Sequence, residues 1–225
     1  MIRVEYLYKS FTLHNQGGAV ISVMADANLQ VMAGECVSLI GPSGVGKSTI
    51  MRMVDGNYLC QSGRTLVGGL DVTAAKPREI LTLRRHVLGH VSQFLRVVPR
   101  VPALEVVAEP LLQVGTARPE ATRAAILLAR LNLPERLWSV SPTTFSGGEQ
   151  QRVNIARGFA YEYPALLLDE PTASLDETNR NVVLGLILDA KARGVAIIGI
   201  FHDEAVRQTV CDRCVDVTNF SAVAA

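Results

Sequence analysis

The chain has 225 residues, 48% of them apolar, and its 22 lysines and arginines nearly balance its 21 aspartates and glutamates, which leaves a net charge of +1. This length and composition can bury one sizeable hydrophobic core, and they exclude a disordered or fibrous chain. A protein that coats nucleic acid usually carries a basic excess, so the charge balance argues against a nucleic-acid partner.

No apolar run reaches the roughly 18–20 residues that a membrane-spanning helix needs. The first five residues carry no basic stretch followed by an apolar segment, so the sequence predicts no secretory signal. We therefore expect a cytoplasmic protein without direct membrane insertion.

The four cysteines are too few for a disulfide framework in a chain of this length. Cys211 and Cys214 form a Cys-x-x-Cys pair, but neither a second such pair nor a nearby histidine accompanies it. Two half-buried thiols near a helix end are therefore favoured over a zinc site. The other two cysteines are Cys36 and Cys60.

The N-terminal residues predict a hairpin. Residues 2–7 alternate between apolar and polar side chains, as a half-exposed strand does. A polar segment with two glycines, residues 12–18, then predicts a loop before a second strand near residues 20–29.

Three continuous apolar runs are typical of buried parallel strands. Helical patterns lie between them, and this alternation predicts an α/β fold with a mostly parallel sheet. The predicted strands are residues 36–40, 165–169 and 195–201, and the predicted helices are residues 47–55, 149–160 and 179–193.

Residues 103–137 are expected to be mainly helical. Pro102 can open the first helix, whereas Pro110 should kink or end it. Gly115 and Pro119 separate this helix from a second one over residues 120–131. The simplest organisation is one domain over residues 1–225, with a helical subdomain at about residues 95–160 inserted in its core.

Residues 41–48, GPSGVGKS, match the phosphate-binding pattern G-x-x-x-x-G-K-[ST] at every fixed position. Its glycines let backbone N–H groups form a concave nest for phosphate oxygens, and the helix that follows adds its positive dipole end. Lys47 is predicted to reach the β- and γ-phosphates of ATP, and the Ser48 hydroxyl to bind Mg²⁺. The predicted nucleotide-binding residues of this loop are Gly41, Pro42, Ser43, Gly44, Val45, Gly46, Lys47, Ser48 and Thr49.

The strand predicted over residues 165–169 ends in a carboxylate, Asp169. A carboxylate at such a sheet end lies beside the phosphate loop and holds Mg²⁺ directly or through water. Glu170 follows at once and is predicted to point toward the γ-phosphate. Glu170 is therefore the candidate general base that orients and deprotonates the attacking water.

Residues 145–157, FSGGEQQRVNIAR, resemble the signature motif of the ATP-binding cassette (ABC) ATPases, usually written LSGGQ. Phe145 replaces the usual Leu and Glu149 the usual Gln. The resemblance implies a RecA-like parallel sheet, an antiparallel β subdomain and an α-helical subdomain. It also implies that two subunits pack head to tail, so that Ser146, Gly147, Gly148 and Glu149 of one cover the ATP bound by the other.

Further parts of the family pattern follow in order, and their roles are implied by the resemblance. Gln93 resembles the glutamine that touches Mg²⁺ and the attacking water, and His202 resembles the histidine that contacts the γ-phosphate. Asp176 belongs to a loop that crosses the dimer interface. Phe11 is at the position of the aromatic residue that stacks on adenine, although a core phenylalanine remains the alternative. The implied catalytic residues are Glu170, His202 and Gln93, and the implied metal ligands are Ser48, Gln93 and Asp169.

Strings beyond these shared motifs, such as residues 93–100 and 199–207, resemble the PhnL-type cassette ATPases of bacterial carbon–phosphorus lyase systems. This resemblance implies a non-transport role in phosphonate catabolism, in the formation of ribose 1-phosphonate 5-triphosphate from ATP and alkylphosphonate. It implies the lyase core subunits and a PhnK-type sister ATPase as partners, in an ATP-dependent homodimer or heterodimer. The alternative is the ATP-binding subunit of a membrane transporter of the lipoprotein- or macrolide-exporter type, which the insertion at residues 12–25 resembles.

Residues 94–101 follow Gln93 and place bulky apolar side chains between Arg96 and Arg100. Pro99 and Pro102 discourage a helix there. Arginine and large apolar groups often anchor interfaces, so this segment is predicted to bind a partner protein. The alternative is that Phe94 and its neighbour merely pack under the helical insertion.

Overall fold

Two β-sheets and seven α-helices are seen in residues 1–13, 15, 17–115 and 120–220, the part of the chain that the computed structural model describes. The strands are β1 (Ile2–Leu13), β2 (Ala19–Val31), β3 (Cys36–Ile40), β4 (Ser62–Val67), β5 (Leu70–Asp71), β6 (Leu88–Val91), β7 (Ala165–Asp169), β8 (Ala196–Ile200) and β9 (Arg213–Asp216). The helices are α1 (Lys47–Val54), α2 (Pro77–His86), α3 (Ala103–Val114), α4 (Glu120–Arg130), α5 (Gly147–Ala160), α6 (Glu177–Ala192) and α7 (Glu204–Val210).

The central sheet is parallel throughout, with the strand order β6-β7-β8-β3-β9. The short apolar strands β3, β7 and β8 are almost wholly buried, as strands covered on both faces are. Because parallel strands end at the same edge of a sheet, the segments that follow these three strands meet there. Those segments carry the phosphate loop, Glu170 and His202.

The second sheet is antiparallel, with the order β2-β1-β4-β5. The first strand was expected over residues 2–7 but runs to Leu13, because it pairs with β2 as far as the Leu13–Ala19 pair. Three register shifts between Val4 and Ser10 interrupt this pairing and break the alternation of buried and exposed side chains. The loop is therefore shorter than expected, and two of its residues, 14 and 16, lie outside the described part of the chain.

Helices α3, α4 and α5 pack on one another. In the chain they lie between β6 and β7, two strands of the central sheet. Pro110 was expected to kink or end α3, yet the helix continues past it to Val114 and ends before Gly115, which has a φ of 65°. Pro110 is buried with Val107 and Leu111, so packing of this apolar face holds the helix across the missing hydrogen bond. Pro119 lies outside the described residues.

Two groups of buried apolar side chains lie on opposite faces of the central sheet. One fills the space under α3 to α7, and the other lies between the sheet, α1 and the antiparallel sheet. Helix α5 approaches β6 so closely that a Cβ at Gly158 would overlap with the Cγ2 atom of Val91. None of the helices in the described part of the chain combines the length and the apolar character needed to span a bilayer.

Candidate nucleotide-binding and hydrolysis site

The loop between β3 and α1 has the backbone of an anion cradle. Gly41, Gly44 and Gly46 have φ values of 131°, 81° and 112°, in the left-handed region that glycine favours. A Cβ at Gly46 would lie 2.9 Å from the Cγ1 atom of Val23, so the loop also packs tightly on β2. Since α1 begins directly after Gly46, its free N–H groups face the loop, and the site fits a phosphate group.

The Lys47 side chain lies across the start of this loop. Its Nζ atom donates to the carbonyl oxygens of Gly41 at 2.7 Å and Pro42 at 2.8 Å. The ammonium group is therefore held at the mouth of the cradle, and its contact with the β- and γ-phosphates stays a prediction. Its flexible stem can turn the charge from these carbonyls to a phosphate oxygen.

Three side chains that the sequence singled out separately are in contact at the edge of the central sheet. The Oε1 atom of Glu170 lies 2.7 Å from His202 Nε2, and Gln93 Nε2 donates to Glu170 Oε2 at 3.4 Å. Glu170 has a φ of 52°, and its backbone N–H donates to the carbonyl of Ile200 at 3.1 Å. A left-handed backbone at a non-glycine residue is strained, and such strain is typical of functional sites.

A cavity of about 970 Å³ adjoins this cluster, and Ser48, Gln93 and Asp169 all line it. Burial raises the pKa of Asp169, and the nearby His90 works against that rise. A hydroxyl, an amide and a carboxylate on one cavity are the oxygen donors that Mg²⁺ prefers. These residues fit a magnesium ion.

The signature turn forms the N-terminus of α5. Ser146 is the N-cap of α5, and its N–H and hydroxyl donate to Glu149 Oε2 at 2.9 and 2.7 Å. These bonds lower the pKa of Glu149, so a carboxylate caps the helix at this turn. Among the described residues, no hydrogen bond joins the turn to the phosphate loop of the same chain.

Asp176 is the N-cap of α6 and lies close to the signature turn. Its Oδ1 atom accepts from the backbone N–H of Asn179 at 2.8 Å, and this bonding lowers its pKa. A Cβ at Gly148 would lie 3.2 Å from the carbonyl oxygen of Ser174, so the two loops are neighbours. Asp176 thus fixes the loop that the family pattern assigns to the dimer interface.

Phe11 lies near the end of β1 and is half-buried. Its ring meets the ring of Tyr58 edge-on, with centroids 5.5 Å apart, and the Lys9 ammonium lies 4.8 Å from its centroid. Phe11 therefore belongs to a small aromatic cluster at the rim of the antiparallel sheet. Its stacking on adenine stays a prediction.

Two polar side chains that the sequence analysis missed hold the backbone next to Glu170 and Gln93 in place. Gln151 Nε2 donates to the carbonyl of Pro171 at 3.2 Å, and Asn154 Nδ2 donates to the carbonyl of Ser92 at 2.6 Å. Both are buried polar residues three positions apart on the apolar side of α5. A polar residue on the apolar side of a helix is a signal in the sequence that could have found them, because a buried polar group needs a hydrogen-bond partner.

The segment after Gln93 is not helical, as predicted. Phe94 and Val98 are 72% and 70% exposed, whereas Leu95 packs against the core under the helices. The alternative of simple packing therefore holds for Leu95 but not for Phe94.

Of the Cys-x-x-Cys pair, Cys211 is half-buried at the end of α7 as expected, but Cys214 is exposed, because its strand lies at the edge of the sheet.

The phosphate loop, the strand-end carboxylates and the signature helix, on a parallel sheet with an antiparallel sheet beside it, define an ABC-type ATPase. The family described as "ABC transporter" matches residues 24–173, and the chain belongs to this family. Among solved structures, it is similar to the dimeric post-hydrolysis state of the ATP-binding cassette MJ0796 bound to ADP and Pi. The two chains are 28% identical with a TM-score of 0.87, and the match covers 97% of this chain and 95% of that one.

Named relatives are proteins of a lipoprotein-releasing system and of macrolide export. The lipoprotein-releasing system ATP-binding protein LolD of Novosphingobium aromaticivorans is 39% identical over 91% of this chain and 90% of its own length. The macrolide export ATP-binding/permease protein MacB of Brucella melitensis is 37% identical over 96% of this chain, which spans only 33% of MacB.

These relatives correct one expectation from the sequence. The strings at residues 93–100 and 199–207 predict a role in a carbon–phosphorus lyase system, with lyase core subunits and a PhnK-type sister ATPase as partners. That role and those partners are wrong, since the relatives are named as the ATP-binding protein LolD of a lipoprotein-releasing system and the macrolide export protein MacB. Short strings next to shared motifs are a weaker guide than similarity over nine-tenths of the chain.

Proposed function

We propose that this chain is the ATP-binding subunit of a membrane transporter of the lipoprotein-releasing or macrolide-exporting type, bound at the cytoplasmic face of the membrane. The observation that carries the proposal is the similarity to LolD over 91% of the chain, together with the contact of Gln93, Glu170 and His202. Residues 1–225 would act as one ATPase domain, with the helical subdomain at about residues 95–160.

In this proposal the phosphate loop holds the triphosphate, and Lys47 turns its ammonium onto the β- and γ-phosphates. Bound Mg²⁺, held by Ser48, Gln93 and Asp169, would neutralise charge on the phosphate oxygens. Glu170 accepts the proton of the attacking water at its carboxylate. Gln93 and His202 keep that carboxylate oriented through the two hydrogen bonds already described.

A second copy would complete the site. Gly147 and Gly148, which follow the N-cap Ser146, present free N–H groups at a helix start, and such groups favour an anion such as the γ-phosphate of a neighbouring subunit. Asp176 would complete the dimer interface, and Phe11 would stack on the adenine. Glu149 replaces the usual Gln of the motif, and its carboxylate lies at the same helix start.

The permease is proposed to dock beside Gln93. Phe94 is 72% exposed on the rim of the cavity, and Arg96 lines the same cavity. Arg157 pairs with Glu109 there, whereas none of the ion pairs within the described residues includes Arg96. A permease segment with an apolar side chain for Phe94 and a carboxylate for Arg96 fits this surface.

The test is co-purification of the chain in detergent with the permease expressed from the same gene cluster. The Arg96→Glu variant should lose the permease while its basal ATP turnover stays unchanged. Arg193→Glu, an exposed arginine at the far end of α6, is the matched control and should retain the permease. Equal recovery of the permease with both variants would contradict docking at this surface, and a gene cluster without a permease would contradict the transport role.

A further inference from the structure

Two cysteine sulfurs lie in contact away from the nucleotide site. Cys36 is the first residue of β3 and is fully buried, whereas Cys211 follows the last residue of α7 and is half-buried. Their Sγ atoms are 3.9 Å apart. The two residues are 175 positions apart in the sequence, so no local pattern pairs them.

The backbone on both sides of this contact is fixed. Asp212 donates its N–H to the carbonyl of Cys36 at 2.9 Å, and its Oδ2 atom accepts from the Cys36 N–H at 2.7 Å. Lys191 Nζ donates to the carbonyl of Val210 at 2.7 Å and to Asp212 Oδ1 at 3.0 Å. A lysine ammonium therefore bonds to the residues immediately before and after Cys211.

The surroundings make the two thiols unequal. The hydrogen bond with Cys36 and the Lys191 ammonium lower the pKa of Cys211, whereas the hydrogen bond with Cys211 and burial raise the pKa of Cys36. Cys211 is also the one that solvent reaches. A thiolate at a partly exposed position beside a positive charge is the reactive form of cysteine.

We propose that Cys36 and Cys211 are an oxidisable dithiol, a modification site that takes a small disulfide of the glutathione type and closes to an intramolecular disulfide. The sulfurs need to approach by about 2 Å to reach bonding distance, a shift that side-chain rotation of both residues can supply.

The exchange balances without a further reactant. The Cys211 thiolate attacks one sulfur of the small disulfide and expels one small thiolate, which leaves a mixed disulfide on Cys211. The Cys36 sulfur then attacks the Cys211 sulfur, and its proton goes to the second small thiolate, which leaves as the thiol. Two protein thiols are oxidised to one disulfide, and the small disulfide is reduced to two thiols.

The bridge would join two elements that position the ATP site. Strand β3 begins at Cys36 and leads at its other end into the phosphate loop. Helix α7 ends beside Cys211, and its Arg207 donates to the carbonyls of Phe201 at 2.7 Å and His202 at 2.8 Å. A bridge between Cys36 and Cys211 restrains α7 relative to β3, so it is expected to lower ATP turnover reversibly.

The test treats the purified chain with glutathione disulfide and counts free thiols, which should fall from four to two. Peptide mapping should find Cys36 joined to Cys211, and ATP turnover should fall severalfold and return after reduction with dithiothreitol. Cys211→Ser should abolish the bridge and the fall in turnover. The matched control Cys214→Ser should still form the bridge and lose turnover. Three results would overturn the assignment of Cys36 and Cys211 as the oxidisable pair. They are a bridge through Cys60 or Cys214, a stable glutathione adduct without a bridge, and four unchanged thiols. Unchanged turnover in the bridged chain would overturn the regulation.

Discussion

The carboxylate of Glu170 and the imidazole of His202 are 2.7 Å apart because β7 and β8 are neighbours in a parallel sheet. The register pairs Asp169 with Ile200, the last residue of each strand. Glu170 follows the first strand directly, and His202 comes two residues after the second. The proximity of this carboxylate and this imidazole is therefore set by strand pairing.

Replacing Glu170 by Gln should leave ATP binding intact and lower turnover by about 10²- to 10⁴-fold, because an amide keeps the shape but cannot accept a proton. The measurements are the rate of ATP hydrolysis and the amount of ATP that the variant retains. Glu162→Gln is the control, since Glu162 precedes β7 at the opposite edge of the sheet and pairs with Arg123. Wild-type turnover in Glu170→Gln would refute the assignment of the base.

Replacing His202 by Ala should lower kcat by about 10²-fold and leave KM for ATP nearly unchanged, because the Glu170 carboxylate loses its orienting partner. His202 is 66% exposed, so its removal should not disturb folding. Steady-state kinetics of the variant separate the two constants. A change confined to KM would mean that His202 contributes to binding and does not orient the base.

Replacing Glu149 by Gln should strengthen ATP-dependent dimerisation severalfold at low salt. Glutamine can still accept the bonds from Ser146, so the cap of α5 remains, while the carboxylate that repels a triphosphate is gone. Added salt should shrink the difference, because it screens the charge. Dimerisation of wild type and variant with equal affinity at all salt concentrations would show that the Glu149 carboxylate does not face the nucleotide of a partner.

Replacing Gly158 by Ala should destabilise the fold by about 1–3 kcal/mol, because a Cβ there overlaps with Val91 where α5 meets β6. Gly185→Ala in α6 is the control. Its Cβ would meet only Arg130 at 3.5 Å, and it should be neutral or stabilise by about 0.5–1 kcal/mol. Urea unfolding of both variants measures the difference, and equal stabilities would mean that α5 does not pack this closely.

Much of the site could be predicted because its chemistry is attached to strand ends. The phosphate loop from Gly41 to Ser48 and the Asp169–Glu170 pair follow buried strands at fixed spacings. The first and last residues of β3 and β7 were also predicted, since continuous apolar runs mark buried strands sharply.

The rest depends on tertiary contacts that no local pattern carries. Packing carries α3 past Pro110, and bulged pairing with β2 extends β1 to Leu13. The bond from Asn154 to Ser92 spans 62 residues, and the contact of Cys36 with Cys211 spans 175. Such pairs come together only when the sheet order is fixed, and the sequence gives no direct measure of that order.

We propose that two chains pack head to tail around ATP, and the molar mass of Glu170→Gln with and without Mg·ATP distinguishes this dimer from a monomer. With ATP the mass should be twice the 24.3 kDa of one chain, with one ATP per subunit, and without ATP it should be that of the monomer. Lys47→Ala in the same background should remain monomeric, since it cannot hold the triphosphate. A Glu170→Gln protein that binds ATP and keeps the mass of a single chain would contradict the claim.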